Sequence, residues 1–215
     1  MQIQPNFHNY LQPESVGFLL QSSRVKRLSF YVLGPEGTNI SQASIEYAKK
    51  FSLSEKSEFV FCSTPEESVV LAKREREKGV IPLFTTCAVY PKLHSIFFSD
   101  SSLMPFLTHH YMELDEMQLA AKTTNIIPGI DRKIASHPAP VPLLKHIQGK
   151  VLIANSNAHA ATLCKEGTVD FCLTTDSARE LNGLETIKRF GSPTMIFHVG
   201  TTKHGMQVLI DSLMS

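Results

Sequence analysis

From Ser29 onward, apolar and polar positions fall into a regular succession of short runs. Ser29-Phe30-Tyr31-Val32-Leu33 is rich in aromatic and β-branched residues and stops at a glycine, which predicts a buried strand over 29–33. A helix over 41–51, a strand over 58–62 and a helix opening at Thr64 follow. The start of that last helix is well marked. Thr64 suits the cap, Pro65 the first helical position, and Glu67 stands three residues after the cap, as a capping box requires. Its end, Lys73-Arg74-Glu75-Arg76-Glu77-Lys78, mixes signs and stops at Gly79, which predicts a solvated face rather than a nucleic-acid patch. A strand over 80–84 comes next.

Residues 93–122 read differently, as apolar runs separated by polar turns, and predict strands of a second lobe. Alternation then resumes. Strands are expected at 133–135, 151–154, 169–174, 185–190 and 194–199, with helices at 140–147, 157–166 and 176–182. Strands alternating with helices predict an α/β fold whose parallel sheets are covered on both faces. Residues 1–28 read as an N-terminal extension with a short helix in 16–21, and residues 203–215 as a C-terminal tail.

Composition narrows the partners. The chain has 215 residues, 42% of them hydrophobic, and a formal net charge of +1, so electrostatics gives no reason to propose nucleic acid or an anionic membrane. No apolar run approaches the roughly 20 residues of a membrane span, and the first dozen residues lack the apolar stretch of a signal peptide, so a cytoplasmic location is expected. Cys62, Cys87, Cys164 and Cys172 stand singly, which argues against a structural zinc site or a disulfide framework. His109 and His110 are adjacent in a predicted strand and so face opposite sides, which argues against a shared metal ion.

Five predicted strands end in small polar residues before a helix: 34–38, 82–86, 136–139, 155–158 and 174–176. Ligands of open α/β sheets bind at such strand ends, where helix N-termini favour anions. In the first loop, Gly34 and Gly37 permit close approach of the backbone, and Thr38 adds a hydroxyl at the mouth of a helix. The pattern predicts a site for a small, oxygen-rich anion.

These stretches resemble, in collinear order over about 29–200, the catalytic domain of prephenate dehydratase and its relatives. The matching residues are Gly34-Pro35-Glu36-Gly37-Thr38, Gly79-Val80-Ile81-Pro82, Ser136-His137-Pro138-Ala139, residues 156–161, residues 169–184 with Thr174-Thr175 and Leu181-Asn182-Gly183-Leu184, and the closing strand from Pro193. The resemblance implies a two-lobed, periplasmic-binding-protein-like catalytic domain over 29–202, with the active site in the inter-lobe cleft. It implies chain crossings near 90–110 and 175–190, and a homodimer. No regulatory domain is expected.

Two departures redirect the reading. Where dehydratases continue Pro82 with a Glu-Asn-Ser stretch, this chain has Leu83-Phe84-Thr85-Thr86, and where they carry Thr-Arg-Phe it has Thr194-Met195-Ile196. In both respects it looks closer to the prephenate decarboxylases of bacilysin- and anticapsin-type pathways. Dehydration needs a donor over the departing ring hydroxyl, and a methionine in place of the arginine weakens that assistance. A non-aromatising decarboxylase instead loses carbon dioxide, shifts a ring double bond, takes a proton and keeps the hydroxyl. An apolar setting from Phe84, Met195 and Ile196 would favour that loss.

The resemblance accordingly implies Thr194, His137 and Met195 as catalytic. It implies Gly37, Thr38, Phe84, Thr85, Thr86, Ser136, Ser156 and Thr174 as substrate-binding, with no metal and no cofactor. The competing expectations are a dehydratase forming phenylpyruvate and a non-catalytic module that binds a small anion.

Overall fold

The structure is a computed structural model and describes residues 13–214. The polar segment at 1–12 lies outside the described residues. The chain divides into two compact units, one holding the residues up to Met112 and those from Met195, the other Glu113–Thr194. The divisions lie just C-terminal of the intervals 90–110 and 175–190 expected for the crossings.

In the first unit, α1 (Pro13–Gln21), β1 (Arg27–Leu33), α2 (Asn39–Lys50), β2 (Ser57–Cys62), α3 (Pro65–Arg74), β3 (Val80–Cys87), α4 (Leu93–Ser99) and β4 (Leu103–Glu113) come first. The chain returns as β10 (Thr194–Thr202) and α7 (Lys203–Met214). The sheet order is β2-β1-β3-β10-β4, with β1 parallel to both neighbours and β10 antiparallel to β3. Strand β1 is buried on both faces, as a parallel strand between two helical layers must be. Phe30 meets Tyr47 of α2 edge to face, and Tyr31 packs on the other side with Cys62, Val69, Ala72, Phe84, Ile96 and Leu103. Helix α2 buries Ile40, Ala43, Ser44, Tyr47 and Ala48, the one-sided stripe of an amphipathic helix.

The second unit holds β5 (Met117–Ala121), β6 (Lys133–Ser136), β7 (Lys150–Ile153), α5 (Asn157–Glu166), β8 (Phe171–Thr175), α6 (Asp176–Leu181) and β9 (Glu185–Gly191). Its sheet order is β7-β6-β8-β5-β9, parallel across β7, β6 and β8 and antiparallel across β8, β5 and β9. Small residues (Ala120, Ala135, Ala160, Ala161, Cys164 and Cys172) let α5 lie close on one face, while Leu119, Ile134, Leu144, Phe171 and Leu173 fill the other. Gly167 ends α5 at φ +84°, donating to Cys164 O while Thr168 N donates to Leu163 O.

Four expectations need correction. Residues 93–122 are second-lobe strand only at Met117–Ala121, which is β5: 93–99 is helix α4, with Ile96 in the core and Phe98 89% exposed, and β4 extends the first sheet beside β10. An unbroken apolar triplet reads the same in a short strand and a short helix, and only tertiary packing chooses. The extension is docked, with Val16 and Leu20 of α1 fully buried one helical turn apart. The tail is helix α7, which buries Met206 and Leu209. The helix expected at 140–147 is a 3-10 turn at Val141–Leu144, because Pro140 and Pro142 remove amide donors.

Candidate functional site

Polar strand ends gather at one edge of each sheet. In the first unit that edge carries the carboxyl ends of β1 and β3 and, because β10 runs antiparallel to β3 with Phe197 opposite Cys87, the start of β10 as well. Gly37, Thr38, Thr85, Thr86 and Met195 therefore share one sheet edge.

The 34–38 loop is built around one hydroxyl. Thr38 Oγ1 donates to Leu33 O at 2.8 Å and accepts from Ser41 N at 3.3 Å as the α2 cap. Ser41, fully buried, completes the turn: its Oγ lies 2.9 Å from Thr38 O and accepts from Gly37 N at 3.0 Å. Gly37 sits at φ +96°, where a side chain would strain the backbone. These bonds use the Gly37, Thr38 and Ser41 amides within the loop. The donors left for an anion are Asn39 N and Ile40 N, the first-turn amides of α2 that have no partner inside the helix.

The β3 residues divide by face. Phe84 is fully buried in the core on the α3 side, so it backs the edge rather than forming its surface. Thr85 points at α2, where its hydroxyl meets Ser44 Oγ at 2.8 Å. Thr86 is fully buried, pairs across the ladder with His198, and its Oγ1 has no hydrogen-bond partner among the described residues. Burial, followed by the nearby His109 charge, lowers the His198 pKa. Thr194 is exposed, and Met195 and Ile196 are half-buried at the start of β10. His110 faces α2, 3.5 Å from the Glu46 carboxylate and against the Tyr47 ring, whereas His109 stacks edge-on with Tyr111.

In the second unit the corresponding edge joins the ends of β6, β7 and β8 with the start of β5. Ser136 is buried and its Oγ donates to His137 O at 2.8 Å. His137 Nδ1 accepts from Ala139 N at 3.3 Å, which puts the proton of the neutral ring on Nε2 and leaves that nitrogen able to donate. Ser156 caps α5 by accepting from His159 N, and Thr174 Oγ1 donates to Asn157 O at 2.8 Å.

Two features of this edge escaped the sequence reading. The Asn157 Oδ1 atom is buried with no hydrogen-bond partner among the described residues. Gln118, fully buried opposite Thr174, donates to Asp176 at 2.7 Å and Glu116 at 3.0 Å and accepts from Thr186 at 2.5 Å. Arg179 pairs with Asp176, holding its carboxyl below the usual range, and Arg189 pairs with Glu116. The network closes on itself around an amide. Only strand register brings these groups together, so no local motif announces them.

Among the described residues, no group of three or more His, Cys, Asp or Glu side chains is placed to hold a metal ion, and no helix is long and apolar enough to cross a membrane. All four cysteines are free thiols, three of them buried.

No protein-family profile matches the chain. It is similar to the prephenate decarboxylase of Bacillus subtilis strain 168, at 40% identity over 65 residues, which are 29% of this chain and 32% of that protein. It is also similar to the prephenate decarboxylase of Planktothrix agardhii strain NIVA-CYA 126/8, at 35% identity over 82 residues, 33% of this chain and 41% of that protein. The match spans well under half the length of either relative. Among solved structures, a substrate-binding domain assigned to a molybdenum ABC transporter of Clostridium difficile aligns with 87% of this chain and 92% of its own, with TM-score 0.50 and 10% identity. That likeness concerns the fold, which is α/β and of the two-unit, periplasmic-binding-protein-like kind.

Proposed function

We propose that this chain catalyses the cofactor-independent, non-aromatising decarboxylation of prephenate to a dihydro-4-hydroxyphenylpyruvate, as a cytoplasmic step of secondary-metabolite biosynthesis. The observation that carries the reading is the 40% identity with a prephenate decarboxylase over 65 residues. The chemistry of the polar edges agrees with it. Breaking the bond between the ring and its carboxylate releases carbon dioxide, and the electron pair enters the ring. One double bond shifts and a ring carbon takes a proton. The step has no net oxidation, so it calls for no redox cofactor.

In this reading, Asn39 N and Ile40 N bind a substrate carboxylate in the turn that Gly37 and Thr38 shape, with Thr85 and Thr86 supporting the same edge. Met195 supplies apolar surface that raises the free energy of a nearby carboxylate relative to neutral carbon dioxide. Thr194 orients the substrate. His137, whose Nε2 carries the available proton, protonates the ring, and Ser136, Ser156 and Thr174 set the loops of its unit. A homodimer is the assembly that the family resemblance supports.

The test is incubation of the purified chain with prephenate and mass analysis of the product. A non-aromatic acid one water heavier than phenylpyruvate is expected. Phenylpyruvate would replace this reading with a dehydratase, and unchanged but bound prephenate with a non-catalytic module.

A further inference from the structure

The fold brings together two thiols that stand apart in the sequence. Cys164 lies in the last turn of α5 and Cys172 near the start of β8, and both are fully buried. Cys164 Sγ is 4.0 Å from Ala120 O, and Ala120 stands directly opposite Cys172 in the β5–β8 ladder. The same sulfur is 3.6 Å from Asp170 O, in the turn that leads into β8. Cys164 therefore sits over the strand position of Cys172, and the two thiols hydrogen-bond to each other. Their approach depends on neighbours with little bulk. Ala120, Ala135, Ala160 and Ala161 share one cluster with both cysteines and let the helix lie close on the sheet. A disulfide needs Cα atoms within about 7 Å of each other, which large side chains between helix and sheet would prevent. Cys62 on β2 and Cys87 on β3 are separated by β1, so they offer no second pair.

The two sulfurs are not equivalent. Cys172 donates its S–H to Cys164, the Lys122 ammonium adds positive charge and the Lys122 amide donates as well, and together these hold the Cys164 thiol below its usual value despite burial. The same hydrogen bond, followed by burial, pushes the Cys172 thiol up. Lys122 is itself exposed, and its Nζ lies so close to the end of α5 that a Cβ on Gly167 would come within 3.2 Å of it. Residues 165–168, which close α5 and follow it, are exposed too. The backbone beside Cys164 is thus a surface turn, and the local opening to which helix ends are prone uncovers the sulfur.

We propose that Cys164 and Cys172 form a reversible disulfide, with a peroxide as oxidant, Cys164 as the attacking thiol and Cys172 as the resolving one. The Cys164 thiolate attacks a peroxide oxygen: an S–O bond forms, the O–O bond breaks, and hydroxide leaves as water with the proton that the thiol released. The Cys172 sulfur then attacks the sulfenic sulfur: the S–S bond forms, the S–O bond breaks, and hydroxide leaves as a second water with the Cys172 proton. The two thiols lose two electrons and hydrogen peroxide gains them, so nothing else is consumed. The link fastens α5 to β8 at the end of the helix opposite the Thr174–Asn157 bond, which ties the same two elements beside the candidate site.

The test is oxidation of the folded full chain with a small molar excess of hydrogen peroxide, removal of the oxidant with catalase, alkylation of the remaining thiols in denaturant, and trypsin digestion without reduction. Cleavage after Lys165 separates the two cysteines, so mass analysis should find peptide 151–165 linked to peptide 166–179, and dithiothreitol should part them. The link closes a short loop, so the second unit of the oxidised chain should unfold at a urea midpoint higher by about 1 M. In Cys172→Ser, dimedone should label Cys164 as the trapped sulfenic acid, and in Cys164→Ser it should leave Cys172 unlabelled. The wild-type peptide map and midpoint do not depend on either variant folding. Recovery of both cysteines as alkylated thiols, a link formed only after unfolding, no rise in the midpoint of the linked chain, or dimedone on Cys172 in place of Cys164 would each overturn the proposal.

Discussion

The Thr38→Val substitution isolates the group on which the candidate anion loop depends. Valine keeps the shape of threonine but removes a hydroxyl that makes two bonds at once. As the α2 cap it accepts from Ser41 N, and loss of a threonine cap costs about 1 kcal/mol. As a donor to Leu33 O it closes the turn, and leaving that half-buried carbonyl without a partner costs about another 1 kcal/mol. The sum, about 2 kcal/mol, is roughly a thirtyfold change in the folding equilibrium. With a typical urea slope of about 2 kcal/mol/M, the unfolding midpoint of the first unit should fall by about 1 M. Thr38→Ser keeps both bonds and should lose less than about 0.8 kcal/mol, the transfer value of one methylene. In steady-state assays with prephenate, Thr38→Val should raise KM while Thr38→Ser stays near wild type, because the loop positions Asn39 N and Ile40 N. A Thr38→Val chain with wild-type urea midpoint and wild-type KM would refute the reasoning.

Burial lowers the pKa values of His110 and His198, so the unfolded chain binds more protons than the folded one as pH falls through the ordinary imidazole value near 6.5. Their contribution to stability is complete above that value and declines below it, so the urea midpoint should fall between pH 7.5 and pH 5.5. A flat profile would contradict the assignment, and the His110→Gln/His198→Gln variant should show the shallower dependence. Phe84→Ala should cost about 3–5 kcal/mol by emptying a fully buried position in the core, measured by thermal unfolding. A loss of prephenate affinity without that destabilisation would instead place Phe84 at the substrate. Met195→Arg restores the cation that the dehydratase pattern carries at this position and should divert part of the product to phenylpyruvate. Retention of only the non-aromatic product in a folded variant would show that this position does not decide the fate of the hydroxyl.

Legibility in the sequence followed the range of the interactions. The α3 start was readable because its signals are local: Thr64 Oγ1 accepts from Glu67 N at 3.1 Å, and the Glu67 carboxylate accepts from Ser63 N at 2.6 Å. The strand at 29–33 was readable because burial on both faces demands an unbroken apolar run. Helix α4 and the docking of β4 on β10 were not, because neighbours distant in sequence decide them. The same division runs through the candidate site. Thr38 and Ser156 stand at the mouths of predicted helices, and both prove to cap them. That Phe84 lies in the core, that Thr85 meets Ser44, and that Gln118 joins Asp176 and Glu116 are consequences of strand register and face, which a one-residue change would invert.

The central claim is that carbon dioxide leaves while the ring hydroxyl stays, and a reaction in deuterium oxide followed by NMR tests it most directly. The proposal predicts a non-aromatic product with its hydroxyl retained and one deuterium on a saturated ring carbon. An aromatic phenylpyruvate ring, formed faster than prephenate decays without the protein, would contradict it.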